Sequence, residues 1–304
     1  MLYMGNVNRF IFWILIPLIL ISFMSFRITD WQWHLNDKQN IEIANKHATN
    51  LSNLKNINCL ILGGSNSAFS LSAEQMSRYS DLNCYNLSLF NEGGSDDAYY
   101  EYVRGISFNK LQITKVFYSS FYASFDKPFA IKMQANKDKI GINGDHSFKL
   151  LGVSLASRLK NLLQGKSFFP SLKYPSPTKK GDFNFSLFEG CESSNIVDTL
   201  NLPEVNDVYK NWLNSNLSRI QSLFQNAQVY FVLPSTLRTA VSNEELASFS
   251  ASLQQNLKKR SIIYLEQSRF SNRDVLCDNT HHANDLGRKI RTVELIKLID
   301  LQNN

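Results

Sequence analysis

The sequence predicts an α/β domain of flavodoxin-like type, a parallel five-stranded sheet between two helical layers, preceded by one transmembrane helix. Three observations predict it. Five short apolar runs are bounded by glycine, proline or polar residues, helical patterns alternate with them, and a single long uncharged run stands near the N-terminus. The 304 residues are 43% hydrophobic and 19% charged, which is ample material for a packed core. The net charge of +6 is spread over scattered Lys and Arg residues without a block of five, so no nucleic-acid partner is expected.

The uncharged run is "FIFWILIPLILISFMSF", residues 10–26, between Arg9 and Arg27. It approaches the roughly 20 residues that span a bilayer as a helix. No small-x-small cleavage site precedes the polar "RITDWQW", so a retained signal-anchor over residues 1–27 is expected rather than a cleaved leader. Trp31 and Trp33 suit the membrane interface. Arg9 and the α-amino group favour a cytoplasmic N-terminus. The rest of a single-pass inner-membrane protein then faces the periplasm or the exterior.

Residues 28–56 read as a stalk or leading helix, and 57–304 as the folded domain. Strands are predicted over 57–62, 83–89, 114–118, 228–233 and 261–265. Helices are predicted over 73–78, 97–105, 205–225, 243–260 and 285–301. An insertion at about 125–203, with one helix over 150–163, reads as a cap beside the active site. Phe168, Phe169 and Tyr174 within it suit cap packing. Asp96 and Asp97 suit a solvated helix start rather than a metal. Cys59, Cys84, Cys191 and Cys277 show no CxxC spacing, which argues against zinc. Buried free thiols are expected, although an oxidising compartment would permit disulfides of unassigned pairing.

In an open parallel sheet ligands bind beyond the carboxyl ends of the strands, where the strand order reverses. "ILGGSNSAFS", residues 61–70, puts Ser65 there, at a strand-to-helix turn. It is neither GxGxxG nor GxxxxGK[ST], so no phosphate cradle is expected. Alone, Ser65 would be read as a helix cap. At the other end, "LCDNTHHANDLGRKIRT" follows the fifth strand. Asp278 lies three residues before His281, a spacing that lets a carboxylate accept Nδ1–H and leaves Nε2 as a base. Serine after the first strand and Asp-His after the fifth converge on one sheet edge.

These stretches resemble the blocks of the SGNH (GDSL-type) hydrolase family. "LGGSNSAFSLS" resembles Gly-Asp-Ser-x-Ser, with Gly64 in place of the Asp and Ser65 as the matching nucleophile. "YNLSLFNEGGSDDAYY" resembles Asn-x-Gly-x-x-Gly, with Gly93, or alternatively Gly94, as an oxyanion-hole glycine. "CDNTHHANDLG" resembles Asp-x-x-His-x-Asn-x-x-Gly. In it Asp278 is spaced to His281, whereas Asn284 and Gly287 are spaced to His282. The Asp–His contact favours His281 as base, and His282 is the alternative. The family's third block carries an oxyanion Asn where this chain has "VFYSSFYASF", so Ser119 or Ser120 is the expected donor beside Ser65 N–H.

The resemblance implies a serine esterase or O-acyltransferase acting on acyl groups, acetyl foremost, of a cell-envelope polysaccharide. It implies an acyl-enzyme, no cofactor and no metal. The expected partners are an acylated glycan and the membrane, with a membrane-bound acyltransferase as a further candidate. The alternative is a non-catalytic domain of the same fold that binds glycan or accompanies such an acyltransferase.

Overall fold

The computed structural model describes residues 43–89, 111–119, 176–185, 204–266, 269–277 and 280–303, with single positions at 100, 103, 104, 106, 108, 191, 200 and 202. The predicted anchor at 10–26 and insertion helix at 150–163 lie outside the described residues. Among those described, no helix is long and apolar enough to cross a membrane. All of them belong to one compact unit, 40–135 with 173–304.

After a helix at 43–52 (α1), the chain forms β1 (Cys59–Gly63), α2 (Ser65–Ser70), α3 (Ala73–Tyr79), β2 (Cys84–Asn86) and β3 (Lys115–Ser119). Then follow α4 (Asp207–Leu223), β4 (Gln228–Val232), α5 (Asn243–Lys258), β5 (Ile263–Leu265), a 3-10 turn (Arg273–Val275) and α6 (Asp285–Asn303). The strands are parallel in the order β2-β1-β3-β4-β5. The chain therefore leaves β1 in one direction and returns across it, so the order reverses between β1 and β3. Gly63 pairs with Ser119, Ser119 with Val232 and Val232 with Leu265, which brings four strand ends to one level.

The apolar runs form central strands because both faces are covered. Leu60, Leu62, Val116, Tyr118, Val229 and Phe231 pack with Leu213, Leu217 and Ile220 of α4 and Phe249, Leu253 and Leu257 of α5. The alternate residues Ile61, Phe117, Tyr230 and Val232 pack with Met76 of α3 and Leu295, Ile296 and Ile299 of α6. Side chains alternate across a strand, so one run feeds two cores. The helices start where short polar residues take up free N–H groups. Asn206 caps α4, and Ser242 with Glu245 forms a reciprocal capping box on α5.

Two details depart from the sequence reading. β5 begins at Ile263 because Ser261 takes a left-handed conformation (φ 58°) in the turn leaving α5. The cysteines are not free thiols: Cys59 is bonded to Cys84 and Cys191 to Cys277. The first pair follows from strand register, since Cys59 and Cys84 are direct partners on adjacent parallel strands with Cα atoms 4.3 Å apart.

The far limb of the expected insertion packs into the domain. Lys180 O accepts from Asn86 N at 2.9 Å, covering the edge of β2. The turn requires Gly181, whose φ is +82° and whose Cβ would lie 1.9 Å from Asn86 O. Asp182 then caps α3 from outside its own sequence neighbourhood, accepting from Ser72 Oγ (2.7 Å), Ala73 N and Glu74 N (both 2.9 Å) and Asn86 Nδ2 (3.2 Å). The same limb meets α1, where Asn50 Nδ2 donates to Thr178 O at 2.8 Å, and α1 is fastened by His47, whose ring nitrogens meet Tyr85 Oη at 2.9 Å and Ser88 O at 3.2 Å. Burial pushes the His47 pKa down to about 4, with the Ser88 carbonyl opposing part of that shift.

Candidate active site

Ser65 is the first residue of α2, half-buried at the carboxyl end of β1. The turn that delivers it depends on Gly63. Its φ is +133°, and a Cβ there would lie 2.3 Å from Ser67 Oγ and 2.5 Å from Ser119 O. Into that space Ser67 places its hydroxyl, 2.6 Å from Leu62 O and 2.9 Å from Ser119 O, so one side chain ties the helix start to β1 and β3. Gly64 is the N-cap, in extended conformation, and gives α2 no side-chain cap. Among the described residues, a Cβ there would meet Leu89 O at 3.9 Å, an ordinary contact distance.

The histidine loop approaches from β5. The segment turns back on itself through a bridge between Leu276 and Ala283 and a bond from Cys277 N to His282 O at 2.8 Å. Asn284 caps α6 by accepting from Gly287 N at 3.0 Å, while its Nδ2 donates to Asp274 O at 2.6 Å and Leu276 O at 3.3 Å. Gly287 permits close packing, because a Cβ would lie 2.2 Å from Val275 O. The Asn and Gly of the last sequence block thus build the loop, and the Cys191 disulfide fastens its base at Cys277.

The ring that reaches the serine is His282, with Nε2 3.2 Å from Ser65 Oγ. His281 sits beside it, ring centroids 4.8 Å apart in an edge-on arrangement. Burial, and secondarily the neighbouring His282, pushes the His281 pKa well below the usual imidazole value. His281 is therefore a neutral packed ring at physiological pH. The competing register, in which the block is aligned on Asn284 and Gly287, is the one that brings a ring to Ser65.

Asp278, Gly93, Gly94 and Ser120 lie outside the described residues. Ser119 is described at the end of β3, directly paired with Gly63. Its side chain is buried, 1% exposed, and its backbone oxygen is occupied by Ser67. Among the described residues, no cluster of three or more His, Cys, Asp or Glu side chains could hold a metal ion.

A feature absent from the sequence reading lies under the His282 ring. The His282 ring stacks on Phe69 at 4.1 Å and 7°, and Phe69 stacks on Phe185 at 4.0 Å and 7°. Phe69 comes from α2, whose six residues are too short to register as a helical period. Phe185 comes from the insertion limb, for which no local pattern exists.

No family model matches the chain, and no curated protein matches it significantly in sequence. Among solved structures, the periplasmic domain of a lipopolysaccharide acetyltransferase from Salmonella ser. Paratyphi A aligns with a TM-score of 0.39. The two are 11% identical over 80% of this chain and 84% of that one.

Proposed function

We propose that the domain is a serine acyl-transferring enzyme, an esterase or O-acyltransferase of SGNH-like three-layer architecture, held at the membrane by residues 10–26. The substrate proposed is an acylated cell-envelope polysaccharide. The observation that carries the reading is Ser65 Oγ 3.2 Å from His282 Nε2, at the carboxyl edge where the strand order reverses.

Neutral His282 accepts the Ser65 proton on Nε2 as Oγ attacks the acyl carbonyl carbon. The oxygen of the tetrahedral intermediate faces Ser65 N–H, the first N–H of α2, with Gly93 or Gly94 N–H as the proposed second donor. Protonated His282 returns the proton to the departing glycan oxygen, leaving an ester on Ser65. A hydroxyl, from water or a second sugar, then attacks that ester and gives its proton to His282. His282 passes that proton to Ser65 Oγ as the acyl group leaves on the acceptor, and both residues are restored. Asp278, in the same short loop, is the acid proposed to hold Nδ1–H.

The non-catalytic alternative draws support from Ser119, whose hydroxyl is buried rather than presented to a ligand. A fluorophosphonate probe separates the two readings, since only an activated serine reacts. Labelling of the wild type at Ser65 is expected. It should fall at least about 10³-fold in Ser65→Ala and His282→Gln, with hydrolysis of p-nitrophenyl acetate falling in parallel. His281→Gln should retain most of the labelling. A folded wild-type chain that never labels would establish the binding role instead.

A further inference from the structure

We infer that Phe69 is the positioning residue of His282, holding the imidazole plane at the angle that aims Nε2 at Ser65. The inference rests on the proposed role of that pair. Ser65 and Phe69 are four residues apart on α2 and so share a helix face. One helical turn therefore carries both the serine and the ring on which the base lies, and their separation is fixed by the backbone rather than by a loop.

An imidazole held only by its Cβ–Cγ bond turns easily, because that torsion is broad. Turning the His282 ring would swing Nε2 off Ser65 and drive the ring's edge into Phe69. The contact at 4.1 Å and 7° removes this freedom. Phe69 in turn cannot tilt, because Phe185 lies 4.0 Å beneath it, also at 7°. Both phenyl rings are buried, at 2% and 1% exposure. The stack ends on a fixed support: Phe185 N–H donates to Asp285 Oδ1 at 3.4 Å, and Arg288 Cζ stands 4.9 Å from the Phe185 centroid. Arg288 is itself bound to Asp285 at 2.7 Å and to Ala68 O at 3.3 Å.

When His282 takes the serine proton it becomes a cation over an aromatic ring, an attractive arrangement. Among the described residues, the Ser65 hydroxyl and the His281 ring also lie beside it, burial keeps the His281 ring neutral, and Asp278 is the acid proposed at His282 Nδ1. Arg288 and Asp285 lie beyond Phe185, paired with each other. Loss of the Phe69 ring should therefore weaken the aim of the base.

Phe69→Leu keeps apolar volume and removes the plane, whereas Phe69→Tyr keeps the plane. Fluorophosphonate labelling rates would be measured across pH, with thermal midpoints and NMR signals of the His282 ring protons. Phe69→Leu should slow the limiting rate by about tenfold or more. It should also release the His282 protons from the phenyl ring current. Phe69→Tyr should stay within about twofold of the wild type and keep the ring-current shift. Phe185→Leu, which removes only the backing ring, should act in the same direction and serves if Phe69→Leu does not fold. A Phe69→Leu chain with the wild-type rate and ring signals would overturn the inference. A wild-type chain that does not label would overturn the acyl-transfer reading instead, and the ring-current shifts would then decide the positioning role alone.

Discussion

Gly63 and Ser67 share one small volume: a Cβ on Gly63 would lie 2.3 Å from the Ser67 hydroxyl oxygen. That hydroxyl reaches both Leu62 O and Ser119 O, so it clamps the start of α2 onto two strands at the switch point. Ser65 lies between the two residues of the clamp. Its place in space is set by a glycine that has no side chain and a serine that fills the vacancy.

Gly63→Ala should therefore cost more than an ordinary loop substitution. The φ of +133° alone disfavours any L side chain by about 1–3 kcal/mol, and displacement of Ser67 adds to it. Urea unfolding should show a lower midpoint, and the surviving folded fraction should label at Ser65 more slowly than the wild type. An unchanged midpoint would mean that the turn relaxes without strain.

Asn284 has two separable duties, the α6 cap through Oδ1 and the loop carbonyls Asp274 O and Leu276 O through Nδ2. Asn284→Ala loses both and should cost about 1–2 kcal/mol in urea unfolding. Asn284→Asp keeps a good cap but turns a carboxylate oxygen toward two carbonyl oxygens. It should be no more stable than the alanine variant. Wild-type stability in Asn284→Asp would reduce the role of this residue to capping.

Asp182 gathers four donors while 3% exposed. Asp182→Ala strands them, and buried donors without partners are costly, so a loss of about 3 kcal/mol or more is expected. Because Phe183 and Phe185 follow immediately, near-ultraviolet circular dichroism should also report loosened aromatic packing. Asp182→Asn should lie between the two. A full-strength alanine variant would show that this limb is ornamental.

Acid should weaken the domain before most carboxylates titrate. His47 has a folded-state pKa of about 4 and His281 one well below 6.5, both lowered by burial. Between those values and the ordinary imidazole value near 6.5, the unfolded chain binds protons that the folded chain refuses. Stability is thus complete above about pH 6.5 and falls as pH drops. His47 alone, with its pKa lowered to about 4, accounts for up to about 3 kcal/mol by pH 4. Urea midpoints from pH 7.5 to 4.5 should show this slope, and His47→Gln should flatten part of it. A flat wild-type profile over that range would contradict the buried neutral state of both rings.

The sheet was legible because four of its strands lie in apolar runs with clear stops, while β2, Cys84–Asn86, comes from a more polar stretch. Their covering helices repeat apolar residues at helical spacing, as in Leu213, Leu217 and Ile220. Ser65 and the His281–His282 pair were legible as one edge, since parallel topology carries every strand end to the same side. Which histidine reaches Ser65 was not. A one-residue shift in a loop leaves no periodic trace, and only the cap at Asn284 and the Gly287 contact fix the register. Phe185 and Asp182 were invisible for a different reason. Their partners, Phe69 and Ser72, are more than a hundred residues away, and no local pattern encodes such a meeting. The disulfides stayed unread until strand register put Cys59 opposite Cys84.

The two disulfides divide the chain unequally in time as well as in space. Cys59 and Cys84 are 25 residues apart and enclose β1, α2, α3 and the first residue of β2, a short unit containing Ser65. Cys191 and Cys277 are 86 apart and enclose α4, β4, α5 and β5, with His282 just past the closing residue. During synthesis from the N-terminus, the first loop can close while most of the domain has yet to be made. The second must wait for the histidine loop itself. An oxidant acting on the growing chain would therefore secure the Ser65 turn early and the histidine loop last, which would place the approach of His282 to Ser65 late in maturation.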